Sequence, residues 1–222
     1  MNTKNQQRNS VLLIHGIDDT GAVFNQMASY LRQLGWSVHT LDLVPNNGAV
    51  GLDILAQQIA DYVVKTFAPE EPIDLVGFSM GGIVSRYYVQ RLGGINRVQR
   101  FITISSPHHG TVTAYASQRH GCLQMRRNSQ FIQDLNADAV MLGQLNFTSI
   151  WTPYDLMIVP ANSSQMPLGK EVVVPVVLHS WMLTDSRSLA AVASALAEPV
   201  NPCHQFGYAD NCQKSPLGGG NI

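Results

Sequence analysis

Several large classes of protein are excluded by what this 222-residue sequence does not contain. Cysteine occurs three times, at Cys122, Cys203 and Cys212, too few and odd in number for a scaffold built on disulfides. A bridge between Cys203 and Cys212 is left open, but Cys203, His204 and Cys212 lack the spacing of a zinc site. Neither a metal nor an organic cofactor is expected. No stretch approaches the roughly 18 apolar residues of a membrane-spanning helix. The opening MNTKNQQRNS has no apolar core of a secretory signal, so a cytoplasmic location is expected. Basic charge is scarce as well. Fourteen Lys and Arg against fifteen Asp and Glu give a formal charge of -1, which leaves no broad positive field for a nucleic-acid backbone.

The chain does have apolar residues, 45% of the total, enough to fill a core of some size. They recur in two alternating patterns. Short apolar runs at 10–16, 37–43, 72–78, 98–105, 148–152 and 172–178 predict strands. Between them, spacings of three and four predict helices over 24–34, 52–67 and 80–92, near 128–145, and over 186–198. Strands and helices in alternation imply right-handed crossovers and a mostly parallel, six-stranded sheet with helices on both faces. The expected organisation is one α/β domain over 1–198, with a Pro- and Gly-rich tail over 199–222. The segment 107–147 interrupts the alternation and has room for a small cap.

One turn carries chemistry. In DLVGFSMGG a strand leads into Gly77-Phe78-Ser79-Met80-Gly81 and a helix leaves it, the context that gives G-x-S-x-G its meaning. Glycines on either side let a serine ride a very sharp strand-to-helix turn, lifted above the sheet as a nucleophile. Such a serine needs a base and a group to orient that base, arriving in the chain order serine, acid, histidine. Asp155 after the strand TSIWT and His179 at the end of EVVVPVVLH satisfy that order. Among rival acids, Asp185 reads as a helix cap, Glu171 stands at the wrong end of its strand, and Asp138 lies in the irregular segment. His108 and His109 in SSPHHGT precede the acid and so fall out of order, while His15 reads as a residue that orients its loop. The backbone N–H groups of Ile17 and Met80 are expected to hold the oxyanion. Phe24, Met80, Leu156, Met157, Ile158 and Trp181 are candidates to line an acyl pocket, and each reads equally well as a core residue. Asp18 and Asp19 are unexpected beside a site for negative charge; they read as helix-capping or loop-bracing groups that point away from it, or as binders of a hydroxylated head group.

These segments resemble the small α/β-hydrolase lipases, in particular the compact Bacillus-type triacylglycerol lipases. The resemblance rests on LIHGI, GWSVHTLDL, DLVGFSMGG, TSIWTPYDLMIV and LHS, and spans 10–198. SSPHHGT and LQMRRNSQF look more like a broader group of bacterial and cyanobacterial lipases. The resemblance implies an α/β-hydrolase fold with Ser79 as nucleophile, Asp155 as orienting acid, His179 as base, and Ile17 and Met80 as oxyanion donors. It further implies an acylglycerol or other lipid ester as substrate, with transient contact to a lipid surface. A thioesterase, an acyltransferase or a non-catalytic binding protein on the same scaffold is the alternative. Two departures stand out: the secreted Bacillus-type lipases have a leader that is not seen here, and a shorter middle segment.

Overall fold

In the strand Ser10–Ile14 (β1) successive side chains point to opposite faces, and both faces are apolar. Leu12 and Ile14 enter a core with Leu55, Ile59 and Ile83, whereas Val11 and Leu13 enter a second core with Met27, Leu31 and Val192. A strand buried on both sides belongs inside a parallel sheet. The computed structural model describes residues 8–200 and shows that arrangement. With β2 (Val38–Leu41), β3 (Ile73–Phe78), β4 (Val98–Ile104), β5 (Asn146–Trp151) and β6 (Lys170–Val173), β1 forms a six-stranded sheet ordered β2-β1-β3-β4-β5-β6. Every pairing is parallel. Helices α1 (Asn25–Gln33) and α6 (Ser186–Ala197) contribute to one core, and α2 (Leu52–Thr66) and α3 (Met80–Arg91) to the other. The expected parallel α/β sheet is therefore present.

The order of the strands decides where a ligand belongs. From β1 the chain steps outward to β2, then returns to place β3 on the other side of β1. Loops leaving β1 and β3 diverge at their carboxyl ends, the switch point at which open parallel α/β sheets bind their ligands. The loop with Ile17 and the turn with Ser79 flank that point.

Two predicted elements are corrected. The helix expected near 128–145 is α5 (Gln130–Ala137) followed by a separate 3-10 turn over Ala139–Gln144, with α4 (His120–Gln124) preceding both. The break falls at Asp138, whose carboxylate is drawn to α3 by Arg91 Nη1 at 2.6 Å and Gln90 Nε2 at 2.8 Å. The last strand, expected over 172–178, ends at Val173. Pro175 has no N–H to continue the ladder, and the chain leaves the sheet.

An unanticipated residue fixes the middle segment. Arg86 of α3 is fully buried, donating to Leu135 O at 2.8 Å, Asn136 Oδ1 at 3.0 Å and Gln90 Oε1 at 3.0 Å. Burial is the main reason its pKa falls to about 9, with nearby Arg91 adding to the effect and Asp138 opposing it. Removing a charge from water is costly unless its donors are satisfied, and here α5 supplies the acceptors. Arg86 thus ties α5 to the helix that follows Ser79. The tail, with Cys203, His204 and Cys212, lies outside the described residues.

Candidate active site

The turn after β3 has little room for side chains. A Cβ on Gly77 would stand 2.5 Å from Gly82 Cα, and one on Gly81 would collide with the carbonyl oxygens of Ile14 and His15. Neither obstacle is a flexible side chain that could move aside. Gly81→Ala is expected to destabilise the protein by about 3 kcal/mol or more, since the added methyl must displace backbone of the central strand. Urea denaturation would measure it, and an unchanged midpoint would show that the elbow is loosely packed. Between these glycines Ser79 sits at φ 53° and ψ -123°, a conformation costing L-residues roughly 1–3 kcal/mol. Its N–H donates to Ile104 O at 2.8 Å, anchoring the turn to β4 while the side chain keeps 8% exposure. A strained, anchored serine at the switch point of the sheet is what the sequence motif requires.

His15 sets the opposite wall. Leu43 N donates to His15 Nε2 at 2.9 Å, so the ring proton belongs on Nδ1, which lies 2.8 Å from Gly16 O and donates to it. A peptide's C=O and N–H point in opposite directions, so holding Gly16 O also fixes the direction of the Ile17 N–H. Asn46 secures the next residues: its carbonyl accepts from Asp18 N at 2.9 Å, and its Nδ2 donates to Asp19 O at 2.6 Å. Among the described residues neither Ile17 N–H nor Met80 N–H donates to another protein group. The Met80 N–H stands at the start of α3, where the helix dipole favours negative charge.

Asp155 and His179 meet. His179 Nδ1 lies 2.7 Å from Asp155 Oδ2, and Asp155 Oδ1 accepts from Met157 N and Ile158 N, both at 2.9 Å. Burial alone would raise the Asp155 pKa, but the His179 hydrogen bond and charge, with the two amides, outweigh it and hold the carboxyl below its ordinary range. The acid loop is braced from the middle segment: Thr111 Oγ1 and Thr113 Oγ1 donate to Met157 O at 3.0 and 2.6 Å, and Thr111 Oγ1 accepts from Val159 N at 2.9 Å. The His179 ring packs on Phe78, the residue before Ser79, with centroids 4.7 Å apart. Among the described residues no hydrogen bond joins Ser79 Oγ to the imidazole; such contacts are often long until substrate binds.

One expectation about His179 is corrected: it does not end a strand but opens a 3-10 turn, His179–Leu183, beyond β6. The rivals are elsewhere. His108 is fully buried, with Nε2 2.9 Å from Thr103 Oγ1, and burial together with Arg86 and His109 pushes its pKa well down. His109 and Arg127 instead line a cavity of ≈ 520 Å³ bounded in part by Ser163, Met166 and Glu171. Asp185 caps α6, accepting from Arg187 N. Glu171 accepts from Trp151 Nε1 at 2.7 Å, and Asp138 belongs to the Arg91 ion pair.

The substrate candidates divide. Phe24, Met80 and Ile158 follow the core reading, with 0%, 0% and 3% exposure, Phe24 and Met80 packing into the two cores on either face of the sheet. Leu156, Met157 and Trp181 are exposed, as are Tyr154, Val177 and Leu178, all on the segments that carry Asp155 and His179.

Over residues 10–145 the sequence matches the palmitoyl protein thioesterase family, which is more than half of the chain. The chain belongs to that family. Solved structures agree on the fold. The mature lipase BlEst2 of Bacillus licheniformis superposes with a TM-score of 0.68 at 15% identity, covering 86% of this chain and 93% of its own. Lipase B of Aspergillus fumigatus gives 0.69 at 19% identity, covering 87% of this chain but 53% of its own. An extracellular α/β-hydrolase from a Paenibacillus species gives 0.60 at 15%, with 84% and 97% covered. The family match stops at residue 145 and so contains the elbow but neither Asp155 nor His179.

Proposed function

We propose that the protein is a serine hydrolase of lipid carboxylic esters, acting through an acyl-serine intermediate. The observation that carries this reading is the Asp155–His179 hydrogen bond formed beside the strained Ser79 turn, at the carboxyl edge of a parallel sheet. In this reading His179 takes the Ser79 proton as the oxygen attacks the ester carbonyl, and Asp155 holds the Nδ1–H tautomer and stabilises the imidazolium. The Ile17 and Met80 amides receive the oxyanion, which forms where donors are already oriented. His179 then returns its proton to the departing alcohol. Water repeats the sequence on the acyl-enzyme.

Lipid specificity is supported by exposed apolar side chains near the site. Large apolar groups left in water favour contact with an apolar partner, and Leu156, Met157 and Trp181 stand exposed on the segments that hold Asp155 and His179. Acyl chains, and transiently the surface that presents them, are their proposed partners. A second reading, hydrolysis of long-chain acyl thioesters, is favoured by the family to which the chain belongs.

The deciding assay compares a soluble short-chain ester, emulsified long-chain acylglycerols and galactolipids, and a palmitoyl thioester. Turnover of the oxoesters is expected, with a higher rate on aggregated long-chain substrate. Thioester turnover alone would select the second reading. Absence of all turnover, with no labelling of the folded protein by a fluorophosphonate, would remove both.

A further inference from the structure

Asp19 has no assigned task in that mechanism, yet it stands within it. A Cβ placed on Gly16 would lie 3.0 Å from Asp19 Oδ2 and 3.2 Å from Ser79 Cβ, so the carboxylate shares the small space beside the nucleophile. Its loop is rigid: Asn46 binds the backbone of Asp18 and Asp19, and Gly21 N donates to Asp42 Oδ1 at 2.6 Å. Among the described residues the Asp19 carboxylate accepts no hydrogen bond, and it meets His15 and His179 through charge alone. Among the described residues every other aspartate except solvent-exposed Asp18 accepts a hydrogen bond, including Asp42, Asp53, Asp61 and Asp134. Asp19 is half-buried and accepts none.

A carboxylate without a hydrogen-bond donor here is unfavourable twice over. Losing water disfavours its charged form, and its charge opposes an oxyanion forming on the adjacent amides. Burial raises its pKa, an effect that His15 and His179 reduce and Asp18 increases. A donor arriving with the substrate would relieve both costs. The same point beside Gly16 lies 3.3 Å from Phe78 Cδ1, and the Phe78 ring packs on His179 with centroids 4.7 Å apart, so Asp19 stands on the side of the base, from which the departing alcohol takes its proton.

We propose that Asp19 selects esters whose alcohol portion carries a hydrogen-bond donor near the scissile bond, either a free hydroxyl or a protonated amine. The inference rests on Ser79 being the nucleophile of an ester hydrolase, and it names the substrate class of that site.

Two matched pairs test it: glycerol monobutyrate against its di-O-methyl ether, and dimethylaminoethyl butyrate against its carbon isostere isopentyl butyrate. In the wild type kcat/KM should favour the donor-bearing member of at least one pair by roughly tenfold or more, as a hydrogen bond to a charged group allows. The pair that shows it identifies hydroxyl or ammonium. Asp19→Ala should bring that ratio to near one. Asp19→Asn, which keeps an oxygen acceptor without the charge, should retain part of a hydroxyl preference and lose an ammonium preference. Asp18→Asn should keep the full ratio. A wild-type ratio near one in both pairs overturns the inference, as does an Asp19→Ala enzyme that keeps the preference. Should Asp19→Ala not fold, an unchanged ratio in Asp19→Asn overturns it equally. Turnover of p-nitrophenyl butyrate and fluorophosphonate labelling by the wild type separate the cases: present with flat ratios, this inference alone fails, and absent, the hydrolase reading fails with it.

Discussion

Replacing Ser79 by alanine is expected to lower kcat for p-nitrophenyl butyrate by roughly four to six orders of magnitude, the scale seen when a nucleophile is removed from a unit of this kind. The expectation is large because the oxyanion donors and the imidazole are useful only if an oxygen is delivered between them. The fold should be indifferent. Ser79 anchors its turn through its backbone N–H to Ile104 O, a bond that alanine keeps, and its hydroxyl donates to no protein group among the described residues. Alanine meets the same strain at φ 53° as serine does. Circular dichroism should show an unchanged spectrum and a melting temperature within a few degrees, while fluorophosphonate labelling is lost. Near wild-type hydrolysis by a folded Ser79→Ala protein would end the assignment of the nucleophile.

The second large effect is expected at Asp155. Asp155→Asn should lower kcat by about four orders of magnitude, because an amide neither enforces the Nδ1–H tautomer nor stabilises the imidazolium. The substitution is nearly isosteric, and the Met157 and Ile158 amides still find an oxygen, so the loop should keep its shape. Asp185→Asn supplies the comparison. Asp185 lies six positions from His179, but it caps α6 and bonds the exposed Arg187 side chain, and asparagine caps a helix about as well. Steady-state rates for both variants decide the matter: if the Asp185 variant is the crippled one, the orienting acid has been misassigned.

Elements buried on both faces were legible from composition and spacing, because a central parallel strand must be apolar almost throughout. β1 and β3 come nearest to this, and their limits, like those of β4, fall within about two residues of those expected. The elbow was legible for a related reason: a turn that excludes every Cβ at Gly77 and Gly81 leaves a mark in the sequence itself. Edges fared less well. β6 lies at the margin of the sheet, where pairing on one side is enough, and its true limits at Lys170–Val173 bear little relation to the apolar run that suggested it. The apolar run EVVVPVVLH continues past the sheet because Val174 and Val176 pack into the second core after the ladder has ended. Likewise the apolar character of Phe24 announced burial but not the partner of that burial.

By itself the sequence determined the layered α/β architecture and the serine turn, and it offered Asp155 and His179 as the acid and base proposed here, since each reading follows from local geometry or from a chain order that one fold imposes. Tertiary structure decided which groups meet. The His15–Gly16 bond that aims the Ile17 amide, the Arg86 anchor on α5, the threonines that brace the acid loop and the placement of the Asp19 carboxylate all depend on side chains from separate elements arriving at one place. A hydrogen bond is made by distance and direction in space, and for residues brought together only by folding neither is written in their separation along the chain.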